Sequence, residues 1–276
     1  MRRTIRYYIC LNQISYLMAC EHCAQAGFEG SVVLIDPARV REQSRYANCV
    51  TRPISRIVVL QCILRSALRR PDTVYVPHHR AGRLIAKLSS LARRTHFLDD
   101  GMDTLRDRPK AIDLDRIPSG AELLTFSDYS QLGAWTRRVT PVRICSLEVL
   151  GQDDREPLDA REFATVVIES PGILADSPDH SRGERVLYVT HPSSFKNTKP
   201  PSGAVVLRSD KNSLERTLAN FAGRVVVGET MILPYLLHRA RNPELRLEVE
   251  LSQAQHRNLS ALHDLLRVNC ARLTIH

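Results

Sequence analysis

Short runs of β-branched and aliphatic residues alternate with longer stretches of helical periodicity, and this alternation constrains the fold more than any other feature of the chain. TIRYYICL and SVVLID read as strands on either side of Gln13–Ala26, where Ile14, Leu17 and Met18 recur at helical spacing before Gly27. A second helix spans Ile54–Arg70, with Ile54, Ile57, Val58, Leu64 and Leu68 in its pattern and Pro71 as its stop. TVYVP, a helix over Gly82–Leu91, and THFLDDG continue the series. Strands separated by helices of about ten residues or more cannot pair as hairpins, so they wind as parallel βαβ units.

The alternation breaks at the polar segment GQDDREPLDARE, residues 151–162, and then restarts. ATVVIES, RVLYVTHP, GAVVLRS and RVVVG read as strands, with helices over Ser213–Asn220 and Thr230–Ala240. LRLEVELSQAQHRNLSALHDLL adds a strand and a last helix, and no internal repeat is visible. The expected fold class is therefore α/β, with two Rossmann-like domains of parallel sheet, residues 1–155 and 156–276, facing a central cleft. In such sheets ligands gather at the carboxyl ends of the strands.

The formal net charge of +9 asks for an anionic partner. Only five of the 39 basic residues are Lys, and the arginines are scattered with no basic stripe. Aromatics make up 5%, which argues against a nucleic-acid groove with interleaved stacking side chains. An anionic substrate, an anionic membrane surface, or solvated charge from an Arg-rich composition all fit. The seven cysteines form no regular framework, and Cys10 and Cys62 sit in apolar runs, as reduced thiols do. Cys20 and Cys23 make a lone CxxC, either a ligand pair or two small residues on a helix. No stretch approaches the roughly 18 apolar residues of a membrane span. Asn12, Gln13 and Ser15 interrupt the apolar run that follows Arg2 and Arg3, so the start reads as a folded strand and helix in a cytoplasmic protein.

Polar residues directly after strands are the candidates for chemistry. Asp99, Asp100 and Gly101 end THFL; adjacent carboxylates suit a general base, and the glycine lets the chain turn sharply. They equally suit a turn whose aspartates cap the next helix. Asp103 follows, but no His or Glu cluster completes a hard-cation shell. His191 and Pro192 end LYVT among Thr190, Ser193, Ser194, Lys196, Asn197 and Lys199, a donor-rich loop of the kind a phosphate needs. Ser213 and Glu215 open a helix, where a carboxylate can accept from a ribose diol or simply form an acidic first turn. Gly228, Glu229 and Thr230 close RVVVG at the start of another helix, a place for anions on backbone N–H groups.

In this order the motifs resemble those of the bacterial sialyltransferase and polysialyltransferase group of GT-B glycosyltransferases. The acidic-acidic-Gly motif corresponds to Asp99-Asp100-Gly101, and the His-Pro motif to His191-Pro192. The helix-start motif corresponds to Ser213-Leu214-Glu215, and the hydroxyl motif to Glu229-Thr230. YYICLNQISYLMACEHC is similar to the family's first strand and helix, whose loop faces the cleft, which makes Asn12, Gln13 and Ser15 candidate substrate contacts. LDDGMDTL and LLTFSDY look like its flanking segments, so the resemblance covers nearly the whole chain.

The resemblance implies an inverting, metal-independent enzyme with a CMP-sugar donor and no cofactor. Asp99 would act as general base, with Asp100 orienting its loop. His191 would contact the leaving phosphate and Glu215 the ribose, while Ser213 and Thr230 would help to bind the nucleotide. The expected partners are the donor, a glycan or glycolipid acceptor of capsule or lipopolysaccharide synthesis, and an anionic inner membrane touched peripherally; nucleic acid is not expected. Two departures stand out. Glu229 sits where the family has a small hydroxyl residue, and ILADSPDHSRGE is shorter than the family's helix there. They leave room for another CMP-linked nonulosonate or Kdo, or for an inactive relative. The rival classes are a transferase with a nucleoside-diphosphate donor and a non-catalytic basic binding protein on the same scaffold.

Overall fold

The computed structural model describes residues 4–78, 82–99, 106, 114–125, 138–144, 158–170, 184–190, 200–208, 214–230, 232–240 and 243–276. The chain divides into two compact units, Met1–Ser146 and Leu147–His276. Residues 145–157, where the two units meet in sequence, lie outside the described residues.

The first unit is a seven-stranded sheet with every pairing parallel. Its strands are β1 (Arg6–Cys10), β2 (Ser31–Ile35), β3 (Thr51–Pro53), β4 (Thr73–Val76), β5 (Arg94–Leu98), β6 (Glu122–Thr125) and β7 (Thr140–Arg143). They lie in the order β3-β2-β1-β4-β5-β6-β7. The helices α1 (Gln13–Ala26), α2 (Arg56–Leu68) and α3 (Arg83–Leu91) match the sequence expectation closely. The sequence pattern did not single out β3, β6 and β7.

Two faces of this sheet differ in chemistry. Alternate residues Tyr7, Ile9, Val74, Val76, Phe97 and Leu123 form an apolar core with Cys62 of α2 and with Ile85 and Leu88 of α3. The opposite face meets α1 with a stack of rings. Tyr8 lies 4.6 Å from Tyr75 and Tyr75 lies 5.5 Å from His96, while His22 of α1 meets Tyr8 and Tyr75 edge-on. Tyr8 Oη and His22 Nδ1 are hydrogen-bonded at 2.9 Å. The backbone N–H of Glu122 donates to His96 Nδ1 at 2.9 Å, which requires that nitrogen to be unprotonated. Glu122 Oε2 lies 3.7 Å from the same atom, but the backbone bond defines the neutral ring.

Burial, and then Arg6 and His96, depress the His22 pKa to about 4, and burial lowers that of His96. Both rings are therefore neutral when folded and take up protons on unfolding. Their contribution to stability is complete above the unfolded value near 6.5 and declines at lower pH, for His22 as the pH falls toward about 4. The urea midpoint is expected to drop between about pH 7 and pH 5, and His22→Phe should flatten that drop. A wild-type midpoint constant over that interval would contradict the neutral assignment.

Cys20 and Cys23 both point into the core from α1. The hydrogen bond with Cys49, and then burial, raise the Cys23 thiol, while the hydrogen bond with Cys20 and burial push Cys49 up to about 12 against the lowering effect of Cys23. Cys23 and Cys49 thus pack as protonated thiols, with Cys20 buried beside them. Among the described residues no three His, Cys, Asp or Glu side chains are grouped to hold a metal ion.

The second unit is a six-stranded sheet, again parallel in every pairing. Its strands are β8 (Thr165–Ile168), β9 (Val186–Thr190), β10 (Val205–Arg208), β11 (Gly223–Val227), β12 (Leu245–Leu251) and β13 (Arg272–Ile275). They lie in the order β10-β9-β8-β11-β12-β13. Its helices are α4 (Leu214–Ala219), α5 (Leu233–Arg239), α6 (Gln253–Arg257) and α7 (His263–Asn269), so the single expected last helix is two short ones followed by a strand. Ser252 caps α6 through a reciprocal pair of bonds with Gln255.

The alternation in LRLEVEL suggests one solvated face, yet Glu248 and Glu250 are buried. The reason lies on the neighbouring strands. Arg224 of β11 reaches Glu248 at 2.8 Å and Arg272 of β13 reaches it at 3.4 Å, with Arg246 of β12 itself at 3.3 Å. Among the described residues, no helix is long and apolar enough to cross a membrane.

Candidate functional site

Both sheets reverse direction of progression once, between β1 and β4 in the first unit and between β8 and β11 in the second. In open α/β sheets that reversal splays the crossover loops apart and leaves a crevice at the carboxyl ends of the strands. The residues at the carboxyl ends of the strands, at the reversal and on the strands beyond it, therefore define a candidate site on each unit.

On the first unit, Asp99 follows β5 directly and is only 3% exposed. Its backbone N–H donates to the Leu124 carbonyl at 2.9 Å, which extends the β5–β6 ladder by one residue. Its Oδ2 accepts from the Thr125 hydroxyl at 2.8 Å. Thr125 closes β6 and is itself buried, so the bond fixes the rotamer of the carboxylate from the adjacent strand end. Asp100, Gly101 and Asp103 lie outside the described residues.

At the end of β1, Asn12 caps α1. Its Oδ1 accepts from the Ser15 N–H at 2.8 Å, and the Ser15 hydroxyl donates back to the Asn12 carbonyl at 3.0 Å. Ser15 is fully buried. Gln13 bonds both ways with the Arg41 backbone, accepting at 2.8 Å and donating at 3.0 Å. These three residues therefore shape the β1–α1 turn and tie it to the loop after β2.

On the second unit, Ser170 follows β8 and Gly228 follows β11, side by side at the reversal point. The Gly228 N–H donates to Ser170 Oγ at 2.7 Å, and that hydroxyl donates to the Ile168 carbonyl at 3.1 Å. Glu229 and Thr230 continue from this junction, each half-buried. The Thr230 carbonyl accepts from the Leu233 N–H at 3.0 Å. The helix expected to begin at Thr230 begins instead at Leu233, with Pro234 in its first turn. Thr230 thus stands in the loop ahead of α5.

Glu215 lies in the first turn of α4, and its carbonyl accepts from the Tyr235 hydroxyl at 3.3 Å, which ties α4 to α5. Thr190 closes β9 and is buried, its hydroxyl donating to Leu207 at 3.4 Å. His191, Pro192 and Ser213 lie outside the described residues.

Two participants escaped the sequence reading, Thr125 and Ser170. Each stands at the carboxyl end of a strand, as Asp99 does. The same rule would have found Thr125 had β6 been recognised, and Ser170 had the β8–β11 adjacency been known.

No family model matches this sequence, and no curated protein matches it. A solved structure does resemble it, the crystal structure of Arabidopsis thaliana UGT89C1 complexed with UDP. The likeness has a TM-score of 0.50 at 10% identity and covers 99% of this chain and 86% of that one. A match at such low identity speaks to fold alone, and the fold it shows is the expected α/β GT-B class, with two parallel sheets of seven and six strands.

Proposed function

We propose that this chain is an inverting, metal-independent glycosyltransferase. In this reading it moves sialic acid, or a related CMP-activated nonulosonate or Kdo, to a glycan or glycolipid of capsule or lipopolysaccharide synthesis. The observation that carries the reading is the carboxylate of Asp99, placed at the carboxyl end of β5 and held in one rotamer by Thr125. A fixed carboxylate at a strand end is what general-base removal of an acceptor proton requires. The GT-B fold and the order of the sequence motifs support the same reading.

The acceptor hydroxyl gives its proton to Asp99 as its oxygen bonds to the anomeric carbon. The bond from that carbon to the phosphate oxygen breaks, and its electron pair leaves with CMP. Negative charge thus develops on a phosphate, where donors preorganised around it lower the barrier. His191 and Thr230 serve as those donors, while Glu215 accepts from the ribose and Ser213 helps to seat the nucleotide. By the resemblance Asp100 would orient the base, with Gly101 and Pro192 in supporting roles.

A second reading, a transferase using a nucleoside-diphosphate sugar, is favoured by one observation: the structure this chain resembles is complexed with UDP. Thermal shift separates the two. Under the first reading CMP at about a hundredfold excess over its Kd raises the Tm by several degrees, while UDP, GDP and ADP do not. Stabilisation by UDP without CMP would establish the second reading. Stabilisation by no nucleotide would leave the non-catalytic scaffold.

A further inference from the structure

The helical periodicity of residues 54–70 splits into two faces in the folded chain. Val59, Cys62 and Ser66 turn α2 toward the sheet and are buried. Ile57, Leu60, Leu64 and Leu68 do not follow them and remain 70%, 46%, 66% and 91% exposed. At roughly 100° per residue, Ile57, Leu64 and Leu68 fall within about 40° of one another, with Leu60 on their flank. They form a ridge along the side of α2 opposite the core.

The charges carried by α2 and the adjacent α3 have one sign. Arg56 and Arg65 stand exposed on opposite flanks of the ridge, and α3 exposes Arg83 and Lys87 one turn apart. Neither α2 nor α3 contains an Asp or a Glu.

We propose that the α2–α3 face is a docking surface for an anionic phospholipid bilayer. The Ile and Leu side chains enter the boundary between headgroups and acyl chains, and the four cations pair with lipid phosphates. An amphipathic helix with an apolar ridge and basic flanks has the physical design of an interfacial helix. Charge decides against a second copy of the chain as occupant. A two-fold contact across α2 would set Arg56 and Arg65 against their own counterparts, with no carboxylate on either helix to meet them. A nucleic acid would satisfy the cations but offers no apolar surface to Leu64 and Leu68. The proposal names the surface behind the membrane contact expected from net charge, and it does not depend on the catalytic reading.

Vesicle flotation tests it, comparing phosphatidylcholine containing roughly one-third phosphatidylglycerol with pure phosphatidylcholine. The wild-type chain is expected to float only with the anionic vesicles and to be released at about 0.5 M salt. Each cation near the surface contributes about fivefold, so the double variant Arg56→Ser, Arg65→Ser should bind about 25-fold more weakly. Leu64→Ser with Leu68→Ser should weaken binding about tenfold or more. Both substitutions sit on an exposed face, so the urea midpoint should stay at the wild-type value, which separates lost binding from lost fold. Absence of flotation with anionic vesicles, equal flotation with pure phosphatidylcholine, or variants that bind like wild type would each overturn the proposal. So would a dimer in sedimentation velocity that the leucine variant dissociates. Nucleotide thermal shifts read the other proposal separately.

Discussion

Replacing Asp99 by Asn is expected to lower turnover by about 10²–10⁴-fold while the chain stays folded. The amide has nearly the shape of the carboxylate and its oxygen still accepts from the Thr125 hydroxyl, so the β5–β6 strand ends keep their geometry. What the amide lacks is basicity toward the acceptor proton. The donor nucleotide is assigned to the second unit, so its thermal shift should survive the substitution. Release of CMP from a CMP-sugar in the presence of acceptor measures the effect. Turnover within about threefold of wild type would remove Asp99 from the catalytic role. Thr125→Val provides the companion measurement. It deletes only the hydroxyl that orients the carboxylate, so it should lower kcat less than the loss of the carboxylate does and leave the nucleotide shift unchanged.

Glu248→Ala is expected to have the largest effect on stability, about 3–5 kcal/mol. The carboxylate is buried at the middle of β12, between Arg224 at 2.8 Å and Arg272 at 3.4 Å on the flanking strands. Truncating it removes the carboxylate that the guanidinium of Arg224, itself only 16% exposed, meets at 2.8 Å. The loss should appear in urea unfolding followed by circular dichroism. The same truncation at Glu162 is a useful contrast, since its ion pair with Arg185 is more than half exposed and should contribute about 0–1 kcal/mol. Equal effects at the two positions would show that the β12 cluster is not a buried network in solution.

This cluster also bears on the charge of +9. Arg224, Arg246 and Arg272 are engaged by Glu248 inside the second unit, so part of the arginine excess serves the sheet rather than a partner. On α2 and α3 the cations have no carboxylate on their own helices. Composition cannot make this distinction, because a formal charge counts a buried, paired arginine and an exposed one alike.

Much of the candidate site was legible at the level of single strand ends. The expectation that polar residues follow strands directly matches the positions of Asp99 after β5 and Glu229 after β11, whereas Thr190 is the last residue of β9 itself. The reading of Asn12, Gln13 and Ser15 was coarser. The residues do lie after β1, but their hydrogen bonds are spent on capping α1 and on the loop at Arg41. Cap preference is a local property of Asn and Ser, so this structural use was visible in the sequence beside the functional one.

The sequence by itself determined the α/β class, the parallel winding and the limits of α1, because periodicity and capping act over a few residues. Only the tertiary structure decided which strands are neighbours. That choice brings Thr125 to Asp99 and Ser170 to Gly228, turns half of the α2 apolar pattern outward, and buries Glu248 among arginines far from it in the chain. Strand adjacency is a long-range pairing whose reward is shared among many contacts, so no local pattern encodes it.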